Sequence, residues 1–175
     1  NRHEGAQAES LQVVTSLPGT RSKVNLPDGS KVWLNSGSTL TYLIEFNKKE
    51  RRTILEGEGY FIVEANPEKP FYISTNEIEV MITGTELNVE GYPGDSLNRV
   101  ILASGSATVT TGGNKTIVLK PDQCFSLNTL TGQTALQSTD AALYGKWKDG
   151  ILAFRDETLE NVFKRIGRTF NVDIR

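Results

Sequence analysis

The sequence predicts a mainly β fold, a sandwich or roll of stacked short strands and hairpins, followed by a small, truncated βαβ unit. Two observations support the β-rich part. Apolar and polar side chains alternate, as where Ile78, Val80 and Ile82 are separated by single residues, and this period of two places one face of a strand on a core. Gly, Asn, Asp and Pro residues punctuate the chain at short intervals, which favours hairpins.

The first predicted hairpin turns at residues 28–29. On the strand that follows, we expect Val32 and Leu34 on one face and Trp33 on the other. Residues 60–63 are apolar at every position, as in a strand that is covered on both sides. The other alternating pairs are Val100 with Leu102, Ile117 with Leu119, and Phe125 with Leu127. Further turn signals lie at residues 35–37, 57–59, 93–94, 112–114, 121–122 and 149–150.

The character of the sequence changes after residue 127. Residues 128–146 are rich in Thr, Gln, Ser, Ala and Gly and show little periodicity, which predicts a connector between two units. Residues 150–154 are suited to a strand, and Asp156 is a good N-cap for an amphipathic helix. The apolar face of this helix would carry Leu159, Val162, Phe163, Ile166 and Phe170.

Asn171 is suited to end the helix in the left-handed conformation, and Val172 and Ile174 then alternate as a strand. A single βαβ unit is too small to hold a core alone, so we expect the remainder of a second domain outside the given residues. The predicted organisation is a flexible segment at 1–16, a β-rich domain at 17–127, a connector at 128–146 and the beginning of a second domain at 147–175.

Charge and hydropathy exclude two classes of partner. The net charge is −2 and basic residues are scattered among acidic ones, so no basic footprint for nucleic acid or an anionic membrane is present. No stretch reaches the roughly 18 consecutive apolar residues that span a bilayer.

Cys124 is the single cysteine, which excludes an internal disulfide, and we interpret it as a structural thiol. The single histidine, His3, lies in a polar end that we expect to be mobile.

Carboxylates offer the best argument for an enzyme. Glu56 and Glu58 stand two residues apart, with Asp28 and Glu64 as possible companions, and paired carboxylates serve as acid and base in glycoside hydrolysis. Solvated acids, or acids paired with the arginines at 51–52, are the commoner arrangement, and the glycines at 57 and 59 predict a turn that interrupts the strand. The spacings needed for metal sites or phosphate loops are not present. We therefore predict no catalytic, metal-binding or cofactor-binding residue.

Aromatic residues provide a second alternative, a carbohydrate-binding β module of the cell envelope. A sugar platform would need several exposed, coplanar rings, although core and hairpin packing is the commoner role of such residues. The candidates for a platform are Trp33, Tyr42, Tyr60, Tyr92 and Trp147.

Five segments, in order, resemble the FecR family of anti-sigma factors. The last of them resembles the start of the domain that follows FecR regions, which is itself similar to the short N-terminal domain of secretins and TonB-dependent receptors. The five segments are LPDGSKVWLNSGSTLTY at 26–42, LEGEGYFIV at 55–63 with KPF at 69–71, GTELNV at 84–89 with Tyr92, the Ser104-Gly105 turn before Ala107 and Val109, and WKDG at 147–150 through Phe154 with Leu159 and Val162.

The resemblance implies a periplasmic sensor without catalytic activity, the extracytoplasmic part of a single-pass inner-membrane protein tethered by a helix upstream of the given residues. Its implied partners are the signalling domain of a TonB-dependent outer-membrane transducer and, through a cytoplasmic segment outside the sequence, an extracytoplasmic-function sigma factor. The inducing ligand, an iron chelate or a glycan, stays open. An open strand edge suits β-augmentation, so the predicted contact segment is Val172, Asp173, Ile174 and Arg175.

Overall fold

The structure, a computed structural model, describes residues 10–46 and 50–174. These residues form thirteen strands, two α-helices and one 3₁₀-helix, which confirms the mainly β class. The strands are β1 (Leu11–Thr15), β2 (Ser22–Asn25), β3 (Lys31–Leu34), β4 (Thr39–Leu43), β5 (Arg51–Val63), β6 (Phe71–Ser74), β7 (Ile78–Ile82), β8 (Thr85–Gly91), β9 (Leu97–Ser104), β10 (Ala107–Thr111), β11 (Thr116–Leu119), β12 (Gln123–Asn128) and β13 (Thr134–Ser138). The helices are α1 (Ala141–Tyr144), the 3₁₀-helix (Lys146–Asp149) and α2 (Leu159–Phe170).

The long strand β5 is shared by two curled sheets. Its first half pairs with β4 and, in parallel, with β6, whereas its second half pairs with β3 and β8. Sheet A has the order β1-β4-β5-β6-β7-β10-β11, and sheet B has the order β2-β3-β5-β8-β9-β12-β13. All pairings other than β5 with β6 in these two orders are antiparallel.

The predicted turn at residues 57–59 is wrong, because these residues lie inside β5 where it passes from one sheet to the other. Gly57 has φ 113°, and a Cβ atom there would lie 2.3 Å from the Ser38 hydroxyl. Only glycine combines this positive φ with so close an approach of the neighbouring chain. The glycine therefore bends the strand rather than ending it.

The core lies between the two sheets. Phe61 of sheet B contacts Phe71 of sheet A edge to face, with ring centroids 6.3 Å apart. The alternation predicted at Ile78, Val80 and Ile82 is confirmed, since all three side chains are buried. Inward side chains from both sheets form one continuous apolar cluster, which includes Val32, Leu34, Leu40, Leu55, Ile73, Leu87, Val89, Val100, Leu102, Val109, Leu119 and Phe125.

Most of the predicted turns are confirmed. Residues 28–29, 93–94 and 112–114 connect the antiparallel pairs β2–β3, β8–β9 and β10–β11. Residues 35–37 and 121–122 carry the chain from one sheet to the other. Positive φ angles at Gly29, Gly94, Asn114 and Asp122 explain why these residue types stand there.

Two stretches predicted to be irregular contain strands. Of the segment expected to be flexible, residues 11–15 form β1, which pairs with β4 along its full length. Of the predicted connector, residues 134–138 form β13 at the edge of sheet B, and α1 follows. Strand β13 is largely exposed, and an edge strand of this kind needs no apolar alternation. The division of the chain into domains stays a prediction.

The predicted C-terminal helix is present, but its N-cap is Thr158 rather than Asp156. The Thr158 hydroxyl accepts the backbone N–H of Asn161 at 3.3 Å, and Asn171 ends the helix at φ 51°, as predicted. Within the described part of the chain, residues 150–154 and 172–174 form no strand, because no other strand runs beside them to complete a ladder. Neither α1 nor α2 has the length and hydropathy of a membrane-spanning helix within the described ranges.

Candidate functional site

Helix α2 packs on the β sandwich with its charged side inward. Arg165 is only 8% exposed, whereas Leu159 and Phe170 are 71% and 63% exposed. The inward positions Asn161, Arg165 and Arg168 follow the i, i+4, i+7 spacing of one helix face and line a narrow cleft against the sandwich. An amphipathic helix ordinarily buries its apolar stripe. In α2 this stripe faces largely outward.

Glu58 lies at the centre of a buried polar layer on the outer face of sheet B. Its two carboxylate oxygens accept hydrogen bonds from the amide groups of Asn35, at 2.8 Å, and Asn88, at 3.0 Å. Burial raises the pKa of Glu58 and the nearby charge of Glu90 raises it further, whereas Arg165 and the two amides lower it. The net shift is upward, so the neutral form persists to higher pH than in an exposed carboxyl.

Trp147 covers this layer from the C-terminal side. Its indole N–H donates to the Asn88 side-chain oxygen at 2.9 Å, and its backbone carbonyl accepts from Arg21 at 2.5 Å. Beside it, Gly145 lies so close to the Tyr60 ring that a Cβ atom would be 2.5 Å from a ring carbon. Residues 145–147 are therefore packed tightly on sheet B, which explains why residue 60 is buried on an outward-facing position.

A chain of alternating charges connects sheet B to the start of α2. Arg99 on β9 pairs with Glu90 on β8 at 2.7 Å and lies 3.6 Å from Glu157, which pairs with Arg165 at 2.5 Å. Burial lowers the pKa of Arg99, but the carboxylates of Glu90 and Glu157 raise it more, so the guanidinium stays charged. Among the described residues, the second carboxylate oxygen of Glu157 has no hydrogen-bond partner.

Arg168 forms the second contact between α2 and the sandwich. Its guanidinium pairs with Asp95 at 2.9 Å and lies over the Tyr92 ring, 3.4 Å from the centroid. The Ser36 hydroxyl donates to the Arg168 backbone carbonyl at 2.7 Å. Lys164 lies 3.7 Å from the same aspartate. Burial raises the pKa of Tyr92, with a further upward contribution from the charge of Glu58.

The predicted contact segment follows α2 directly. Val172 and Ile174 are 52% and 38% exposed, and Asp173 is also exposed. Together with Phe163 they line an open groove of about 400 Å³ over Gly167, whose carbonyl accepts the Val172 N–H at 2.9 Å. Arg175 lies outside the described residues. The sequence did not indicate that the outward apolar residues of α2 would lie beside this segment. Which side of the helix faces outward depends on how the helix packs on the sandwich.

The sequence model of the family described as FecR protein matches residues 12–108, which is more than half of the chain. The chain belongs to the FecR family. The matched FecR segment extends from β1 into β10 and includes strands of both sheets.

Solved structures resemble a longer part of this FecR chain. Two crystal structures of a proposed anti-sigma factor from Parabacteroides distasonis, at 2.50 and 1.65 Å resolution, each superpose with a TM-score of 0.88 and 29% sequence identity. They match 93% and 91% of this chain, and the matches cover 76% and 75% of those chains. No curated protein gives a significant match to the sequence.

Conspicuous polar residues of the FecR segment have structural roles. Asp28, in the first hairpin turn, pairs with Arg51 at 3.0 Å, and both side chains are buried. Arg51 also donates to the backbone carbonyls of Glu64, Asn66 and Lys69. This arginine therefore holds the β2–β3 turn against the loop after β5.

The four carboxylates considered for catalysis are divided among different surroundings in this FecR domain, with Glu64 beside the hairpin turn that contains Asp28. Glu56 is exposed on sheet A, whereas Glu58 is buried on sheet B, because β5 changes sheets between them. Asp28 is paired with Arg51, and Glu64 is exposed. Among the described residues, no three His, Cys, Asp or Glu side chains are grouped to hold a metal ion.

The proposed sugar platform is not formed. Tyr60, Tyr92 and Trp147 are buried, and the Trp33 and Tyr60 rings meet edge to face at 71° rather than coplanar. Cys124 is buried as well, beside Ile101 and Ala141, as expected for a structural thiol. Burial raises its pKa to about 11. His3 lies outside the described residues.

Proposed function

We propose that this FecR protein is the periplasmic sensor part of a transmembrane anti-sigma factor and that it acts by binding other proteins rather than by catalysis. The observation that supports the proposal most strongly is the FecR match over residues 12–108. The similarity to solved structures of a proposed anti-sigma factor, with a TM-score of 0.88, adds support over a longer part of the chain. A fold by itself does not identify a function. Here the sequence match and the structural similarity both support an anti-sigma factor.

The proposed relay has two partners. On the periplasmic side, the chain binds the signalling domain of a TonB-dependent outer-membrane transducer. On the cytoplasmic side, a segment outside the given sequence binds an extracytoplasmic-function sigma factor. Such a relay requires only that the contact free energy of the chain with the transducer differs between the ligand-loaded and empty states.

The proposed receptor contact is the segment Val172, Asp173, Ile174 and Arg175. Its described residues are exposed and adjoin the outward stripe of α2, where Phe163 contributes to the same groove. A partner strand placed beside this segment would gain backbone hydrogen bonds and would cover exposed apolar side chains. Backbone pairing and apolar burial would therefore act together at this contact.

Calorimetric titration with the signalling domain of the genomically adjacent receptor tests the proposal. The chain should bind saturably with a dissociation constant in the micromolar range or tighter, about −8 kcal/mol. The signalling domain of an unrelated receptor serves as the control and should give no saturable heat. Absence of heat with the adjacent receptor, together with binding to a glycan panel, would favour a carbohydrate-binding module instead.

A pair of substitutions at one position tests the contact segment. Asp173→Pro removes a backbone N–H and should weaken binding by at least about tenfold if a partner strand pairs there. Asp173→Asn keeps the backbone donor and should retain the wild-type affinity. Equal affinities for the wild type and Asp173→Pro would exclude the segment from the contact.

A further inference from the structure

The contact between α2 and the β sandwich is built from charges where helix packing ordinarily uses apolar side chains. Four cationic and four carboxyl groups meet there, namely Arg99, Lys164, Arg165 and Arg168 with Glu58, Glu90, Asp95 and Glu157. The most exposed apolar residues of α2, Leu159 and Phe170, lie on the other side of the helix. Separation of α2 from the sandwich would thus mainly hydrate ions rather than expose apolar core.

The chain between the 3₁₀-helix and α2 lacks regular secondary structure. Trp147 is anchored by its hydrogen bond to Asn88, and α2 begins only at Leu159. Between them, residues 151–158 form neither helix nor strand. Two residues have left-handed backbone conformations, Gly150 just before this stretch at φ 88° and Asp156 within it at φ 52°. Rotation about this stretch would let the helix move while residues 145–147 stay on sheet B.

We propose that α2 is held on the FecR sandwich by a releasable, charge-locked joint, in which Arg168 and Lys164 on the helix pair with Asp95 on the β8–β9 loop. Asp95 is the outer lock, because its pairs lie at the partly exposed rim of the contact. The Arg99–Glu157 contact is the inner lock, because both side chains are buried. The joint opens as a unit, independently of the sandwich, and its opening moves the outward apolar stripe of α2. This device does not depend on the identity of the receptor or sigma factor.

Hydrogen–deuterium exchange of the full chain distinguishes a releasable joint from an integral helix. An isolated helix as short as α2, 12 residues, is marginal in water, so release exposes its amide groups to exchange. Strand β8 reports on the integrity of the sandwich in the same experiment. The expected result for the wild type is that the α2 amides exchange through a local opening, well before those of β8.

Substitution of the outer lock gives the decisive comparison. Asp95→Asn keeps the side-chain volume but removes the charge, and it should increase α2 exchange at least about tenfold without changing β8 exchange. Raising the salt concentration from about 50 mM to about 500 mM should act in the same direction in the wild type, because exposed pairs are screened. Asp149→Asn, a matched change at an exposed carboxylate that pairs with Lys148, should leave α2 exchange unchanged.

A substitution on the outward stripe completes the test. Phe163→Ser should leave α2 protection close to the wild-type level, since the side chain is 48% exposed and forms none of the charged pairs of the joint. An apolar joint would instead lose protection. The proposal is overturned if α2 and β8 exchange together in all variants and at both salt concentrations. It is also overturned if Asp95→Asn and Asp149→Asn have equal effects.

Discussion

The indole N–H of Trp147 donates to the side-chain oxygen of Asn88 at 2.9 Å, across 59 positions of the sequence. The same Asn88 side chain donates its amide to Glu58. A residue at the start of the predicted second domain thus completes the polar layer of the FecR sandwich. The predicted division at residue 147 therefore coincides with a tight structural attachment rather than with a free linker.

Trp147→Phe should destabilise the protein by about 1–3 kcal/mol, because it leaves the Asn88 oxygen buried without its donor. Urea unfolding followed by circular dichroism measures the effect. Trp33→Phe is the control, since Trp33 is only partly buried on the same sheet, and it should cost clearly less. Equal losses from both substitutions would show that ring volume, not the hydrogen bond, decides the stability.

Arg51→Met should cost about 3–5 kcal/mol, because it strands the buried carboxylate of Asp28. The neighbouring Arg52 offers a matched control. Its ion pairs with Glu50 and Glu79 are exposed, with 45% of the arginine side chain accessible, so Arg52→Met should cost less than about 1 kcal/mol. Similar unfolding midpoints for the two variants would contradict the structural role of the Asp28–Arg51 pair.

Gly57→Ala should destabilise the chain severely, by more than about 3 kcal/mol, since backbone strain at positive φ is joined by a collision with Ser38. Thermal unfolding checks this. Gly112→Ala is the control, because a Cβ atom there meets no other group within 4 Å. If both alanine variants melted at the wild-type temperature, β5 would not bend at residue 57 as described.

Glu58 should make stability depend on pH. Its folded-state pKa is raised above the ordinary value of 4.5, so the folded protein binds the proton more tightly than the unfolded chain. Its contribution is present below the ordinary pKa and is lost as the pH rises through the raised value. Glu58→Gln should remove this decline, as urea unfolding at a series of pH values would reveal. Parallel stability curves for the wild type and the variant would contradict the shift.

Cys124 should resist thiol reagents in the native protein. With a pKa of about 11, only about 0.1% of the thiol is ionised near pH 8, and the side chain is buried. Labelling with a chromogenic disulfide should be at least about tenfold slower in the folded protein than in urea. Native labelling at the rate of glutathione would show that the thiol is accessible.

Local turn chemistry explains why much of the fold was predictable. The hairpin turns at 28–29, 93–94 and 112–114 depend on residues that tolerate the required φ angles, and these can be identified in the sequence. The bend at Gly57 was not predictable, since its cause is the approach of Ser38 from another strand. Strand β13 was missed because its exposed edge position leaves no apolar alternation.

The candidate site was predictable only in part. The apolar stripe of α2 and its stop at Asn171 follow from spacing and residue type, and both are present. The sequence did not show that Arg165 and Arg168 would face the sandwich, because their partners Glu157 and Asp95 are brought to them by the fold. Charged residues spaced i, i+3 on the side opposite an apolar stripe are ordinarily solvated, so spacing alone gave no signal.

The proposed relay of a receptor state to a sigma factor through this FecR chain can be tested by transcription in cells. A reporter placed under a promoter of the cognate sigma factor is measured with and without the receptor's inducing ligand. Cells carry either the intact protein or a form lacking the FecR domain, with membrane levels of both checked by immunoblot. If the proposed relay operates, ligand changes transcription only with the intact protein. An equal response to ligand in both strains would contradict it.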